Sequence, residues 1–185
     1  MNNSHITARQ LRKQWDEFLL SNGFTHSGKF HYVNSHFSIL EFHLDYAPLA
    51  KGYYFCGSVS LHEIYPTQPK DLGDYDNYER LNSMDISLDD LLKKHILLIN
   101  DVLYRGQMLP KGDDGYPKES FDIVLECFAD CVIPDLKKCL TRDGFIEFCT
   151  KNQSLAMRSL AKNLKIWMRQ NCPDLCIGFD DGWLT

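Results

Sequence analysis

Residues 7–64 constrain the fold more than any other part of the chain, because their apolar positions change period once, from helical to alternating. Leu11, Trp15, Phe18 and Leu19 recur at helical spacing, with Ala8 one turn earlier. Arg9, Arg12, Lys13, Asp16 and Glu17 fill the remaining faces, so the helix carries one apolar stripe that must pack against a partner layer. The Thr7 hydroxyl is placed to accept one of the free N–H groups of the first turn. Asn22-Gly23 is placed to end the helix, because glycine tolerates the left-handed conformation of a helix C-terminus. Phe24 is expected to fold back on the helix end.

Beyond a turn at Ser27-Gly28, the pattern predicts strands at 29–33, 37–46 and 53–64. In the first, Phe30 and Tyr32 share one face and His31 takes the other. Asn34-Ser35-His36 reads as the hairpin loop. In the second, Leu40, Phe42 and Leu44 alternate with Glu41, His43 and Asp45, the signature of one buried and one solvated face. Pro48 and Lys51-Gly52 make the next connection. Phe55, Val59 and Leu61 then face one way, with Gly57 between them marking a bulge or a close backbone approach. The expected fold class is α+β: an N-terminal helix packed on an antiparallel sheet of three or more strands, followed by a helical C-terminal half.

The helix leading into Asn22-Gly23-Phe24, the short strand around Gly28-Lys29-Phe30 and the aromatic alternating strands up to Leu61 resemble an uncharacterised bacterial family, the domain of unknown function numbered four-three-zero-four. The resemblance covers about a third of the chain and rests on structural positions. It implies an α+β fold and, by analogy with small bacterial proteins of that kind, an immunity or toxin-partner role. It supplies no catalytic residues.

The helical half opens after a break at 66–83, which holds Pro66, Pro69, Gly73 and an acidic-aromatic string. Asp85 or Ser87 is expected to cap a helix running to Arg105, with Leu88, Leu91, Leu92, Ile96, Ile99, Val102 and Leu103 as its stripe. A second loop spans 108–117, with a turn at Asp113-Asp114-Gly115. Helices are expected at 118–133, ended or kinked by Pro134, at 135–140, at 145–150 after a turn at Asp143-Gly144, and from Asn152 or Ser154 to Pro173. The tail 175–185 is expected to add a strand or dock on the core. Each half alone would bury little, so 1–185 is read as a single domain, its sheet within about 1–65 and its helices within about 85–171.

Bulk properties narrow the function. With 44% hydrophobic and 12% aromatic residues, the chain of 185 residues folds around a real core. Its 20 basic and 25 acidic residues leave a net charge of −5, which argues against a general nucleic-acid binder and favours a basic protein as partner. No apolar run reaches the ~20 residues a membrane span needs. Met-Asn-Asn-Ser-His lacks a signal-peptide pattern, and the seven cysteines are expected as free thiols, so the expected location is the cytoplasm.

Two constellations carry the functional expectations. The acidic-aromatic loop offers Tyr75 and Tyr78 as rigid interface area within a rim of Asp71, Asp74, Asp76 and Glu79, complementary to a basic partner such as a phosphate-gripping toxin. The expected function is therefore non-catalytic protein binding, of the immunity or toxin-inhibitor type, with no cofactor, nucleic acid or membrane involved. The alternative is a metal-assisted hydrolase. Glu41, His43 and Asp45 share a strand face, His31 lies on the neighbouring strand, and His62 or Glu63 lies on the third. Imidazole with carboxylate suits zinc, manganese or acid–base chemistry. The simpler reading of that face is a solvated one. Cys127 and Cys131, one helical turn apart, read as small buried hydrophobes, and no Cys-x-x-Cys, phosphate-binding loop or Gly-x-Ser-x-Gly elbow occurs.

Overall fold

The computed structural model describes residues 5–64, 83–86, 108–151 and 162–176. Helix α1 (Ala8–Ser21) forms where the stripe predicts it, and Thr7 closes a capping box with Gln10 at its start. Asn22 caps its C-terminus and Gly23 takes φ +82°, the left-handed step that lets Phe24 turn back, bond the Leu19 carbonyl and enter the core.

Five antiparallel strands lie in a row: β2 (Thr25–Ser27), β3 (Phe30–Asn34), β4 (Ser38–Ala47), β5 (Gly52–Leu61) and β6 (Ser83–Ile86). A sixth, β7 (Met108–Pro110), shares the β6 edge of β5, pairing with its first residues. A separate two-stranded ladder joins β1 (His5–Ile6) to β8 (Tyr116–Pro117). The sheet is therefore not confined to residues 1–65. Asp85 lies in β6, and the 108–117 loop begins and ends in strand. The turn after β2 is Gly28-Lys29, so residues 25–27 form a strand that the alternation of the next segment conceals. Gly57 sits in regular register between Phe42 and Ile86; there is no bulge. A Cβ there would meet the Phe42 ring at 2.8 Å, so glycine is needed for close approach.

Leu40, Phe42, Phe55 and Val59 form one face of β4–β5, packed against α1 and the C-terminal helices. Trp15 of α1 is the centre, with ring centroids 5.3 Å from Phe55, 5.2 Å from Phe128 and 6.5 Å from Phe42. Edge-to-face geometry of this kind adds about 0.5–1.5 kcal/mol per pair beyond area burial. Phe37, Phe145 and Trp167 extend the aromatic core at the other end.

The helical path runs further than Pro134 suggests. Helix α2 (Lys118–Cys127) passes through a π-helical turn (Phe128–Val132) into α3 (Ile133–Lys137) and a 3₁₀ turn (Lys138–Leu140). Pro134 directly follows the π turn, a break in the regular hydrogen-bond ladder at which a proline is accommodated without ending the helical path. Asp143-Gly144 lies inside α4 (Arg142–Lys151) and makes no turn. A Cβ on Gly144 would stand 2.1 Å from the Lys138 carbonyl oxygen, so glycine serves packing there. Helix α5 (Lys162–Asn171) ends before Pro173 as expected. The Ser38 and Ser35 hydroxyls donate to the Cys139 and Leu140 carbonyls at 2.7 Å, pinning the β3–β4 hairpin to the 3₁₀ turn. Sheet and helices thus share one core. The expected 87–105 helix and the 177–185 tail lie outside the described residues.

Candidate functional site

The acidic-aromatic loop, with Asp71, Asp74, Tyr75, Asp76, Tyr78 and Glu79, lies outside the described residues. The carboxylate–histidine group does not, and its members separate. Cross-strand partners share a face, so pairing of His31 with Phe42 puts His31 on the aromatic face, opposite to Glu41 and His43. There its Nε2 approaches Asp16 of α1 at 3.5 Å. Burial lowers its pKa from the ordinary value, Asp16 pulls it back part of the way and His26 adds to the lowering. His62 and Glu63 are also turned elsewhere: His62 pairs with Asn34 at 2.8 Å, and Glu63 accepts from the Trp167 indole N–H at 2.7 Å.

Glu41, His43 and Asp45 do share a face, yet that face is not the wet surface their alternation predicts. Glu41 and His43 are buried along with Phe30, Ile39 and Ser60. Glu41 accepts a 2.9 Å hydrogen bond from Ser58 on β5. Asp45, half exposed, approaches His43 Nε2 at 3.3 Å and pairs with Lys29 at 3.2 Å. Burial lowers the His43 pKa first; Asp45 opposes this and Lys29 assists it. Opposite His43 on β5 stands Cys56, which the sequence pattern does not single out.

The seven cysteines are free thiols. Burial pushes Cys127 up to about 11 and Cys149 to about 12, and raises Cys131, Cys139, Cys172 and Cys176 as well. These six are poor nucleophiles at neutral pH.

A cleft of about 350 Å³ opens where α1 begins, walled by Tyr46, Tyr53 and Tyr116 and edged by Lys111, Asp113 and Asp114. Its assembly follows from pairing. Tyr46 and Tyr53 are cross-strand partners on either side of the β4–β5 turn, with ring centroids 5.3 Å apart. The β1–β8 ladder brings Tyr116 to within 5.4 Å of Tyr53. Gly115, at φ +130°, lets the chain approach closely: a Cβ would stand 2.8 Å from the Ile6 carbonyl oxygen. The turn at Asp113-Asp114 therefore reaches the cleft mouth, which its sequence, legible only as a turn, does not reveal. Tyr116 is buried; desolvation, then the neighbouring Tyr53 and Tyr46, push its pKa up to about 12 against the pull of Arg12, so it remains a neutral phenol. Tyr46, near the end of β4, is half exposed, and Leu49 in the turn that follows is fully exposed. Asp113, Asp114 and Lys111 line the rim, and the charge of Arg12 also reaches Tyr116.

Among the described residues no helix is long and apolar enough to cross a membrane. No family model, curated protein or solved structure matches the chain.

Proposed function

We propose that the protein is a non-catalytic binding protein whose partner is another protein, and that the tyrosine cleft is part of its contact surface. The observation that carries this reading is the cleft itself: three tyrosine walls, Tyr46 among them half exposed, and a rim with two aspartates. Tyrosine supplies rigid contact area at low entropic cost, and aromatic residues concentrate at interface centres. An arginine side chain is the best complement, because its guanidinium stacks on tyrosine faces while pairing with carboxylates. The net charge of −5 favours encounter with a basic partner.

The finer form of the reading is an immunity-type protein that binds and neutralises a basic bacterial toxin in the cytoplasm, with the Tyr75–Tyr78 loop as a second contact. The acidic charge balance and the free thiols are what this finer reading rests on. The test is the affinity for the product of the adjacent gene, measured by calorimetry. Tyr46→Ala, or Asp113→Asn with Asp114→Asn, is expected to weaken binding by about 2 kcal/mol, the scale of an interface hot spot. Unchanged affinity in both variants would remove the cleft from the interface.

A further inference from the structure

At the open end of the polar face, His43, Asp45 and Cys56 converge. One donor atom from each, an imidazole nitrogen, a carboxylate oxygen and a thiol sulfur, lies within 4.8 Å of the other two. The register produces this directly. His43 and Cys56 are cross-strand partners in β4–β5, and Asp45 follows His43 by two, so all three side chains leave the same face of the sheet. We propose that these residues form a three-donor site for a divalent transition metal of the zinc class.

The chemistry of the donors selects the metal. Nitrogen, oxygen and sulfur together suit a borderline-soft ion such as zinc and disfavour magnesium or calcium, which take all-oxygen shells. Bond lengths of about 2.0–2.3 Å to a tetrahedral ion put the donors roughly 3.3–3.8 Å apart. His43 Nε2 and Asp45 Oδ2 already stand at 3.3 Å, and the Cys56 sulfur lies within 4.8 Å of a donor atom of each residue. The surroundings fit a partly closed site. The His43 ring is held edge-on against Phe30, with centroids 4.9 Å apart, which fixes its plane. Lys29 contacts Asp45 at 3.2 Å and supplies the positive charge that a metal ion would replace. Asp45 is half exposed, so ions can enter from that side. Three protein donors leave a fourth position for water or a ligand atom. The site leaves the opposite face of β4–β5 from Tyr46 and Tyr53, and it does not depend on the binding reading.

The test uses the full chain, stripped with a chelator and titrated with Co²⁺, whose thiolate complexes absorb in the near ultraviolet. The expected result is a saturable thiolate–cobalt band at one equivalent, removed by Zn²⁺. Cys56→Ser abolishes the band. Asp45→Asn, at a half-exposed position that the fold tolerates, weakens cobalt affinity at least ~10-fold. Lys29→Met tightens it by removing the competing ammonium. No thiolate–cobalt band at ~1 mM metal, or an undiminished band in Cys56→Ser, would overturn the proposal.

Discussion

The two faces of the β4–β5 sheet are both buried, yet they are built from opposite materials. One is aromatic and aliphatic, with Phe42, Phe55, Leu40 and Val59 packed around Trp15. The other holds Glu41, His43, Ser58 and Ser60 beside Phe30 and Ile39. The first is stabilised by removing apolar area from water, which requires no particular orientation of the groups, and by close packing. The second depends on each polar atom finding a partner, as Glu41 does with Ser58, because desolvated polar groups are costly when left alone. Alternation in a strand therefore reports which residues travel together. It does not report whether the polar set meets water.

The comparison makes graded predictions. Phe42→Ala opens a cavity at the meeting point of Trp15, Phe24 and Phe128. It should cost about 3–5 kcal/mol in urea unfolding; a loss below about 1 kcal/mol would mean this face is not the core. Gly57→Ala drives a methyl group into the Phe42 ring and should cost about 1–3 kcal/mol in the same assay. On the polar face, Ser58→Ala removes one hydrogen bond to the Glu41 carboxylate and should cost about 1–2 kcal/mol. A value within the ±0.5 kcal/mol typical of surface sites would make that face wet after all.

The smallest effect is a pH dependence. His31 is held neutral by burial, with its folded pKa below the unfolded value of about 6.5. Between those two values the unfolded chain binds more protons than the folded one, so stability rises with pH. The contribution of His31 is complete above about pH 6.5 and is lost as pH falls from there through the folded pKa. His43 acts in the same direction. His31→Gln should flatten, without inverting, the fall in unfolding midpoint between pH 7 and pH 5. An unchanged slope would mean that His31 is as solvated in the fold as in the open chain.

Much of the architecture is legible in the sequence. The stripe through Leu11, Trp15 and Leu19, the Thr7 cap, the Asn22-Gly23 stop and the strands around Phe42 and Phe55 are local patterns, and local patterns survive into the fold. What escaped is non-local. Alternation within its own strand leaves open which side His31 shares with β4, and the β3–β4 register decides its face. Cys56 reads as one small residue in a strand until pairing sets it opposite His43. Tyr46 and Tyr53 flank a turn in plain view, while Tyr116 joins them only because residues 5–6 pair with 116–117. Asp113-Asp114 carries turn chemistry, and turn chemistry hides its second use as the rim of a cleft.

The central claim is that this cleft takes a basic side chain from a partner. Its most direct test is an NMR titration of the full chain with acetyl-arginine methylamide, following Tyr46, Tyr53, Tyr116 and the amides of Asp113, Asp114 and Gly115. Saturable shifts at these residues, absent in the Asp113→Asn, Asp114→Asn double variant, are expected. Shifts that do not saturate, or that persist undiminished in the double variant, would contradict it.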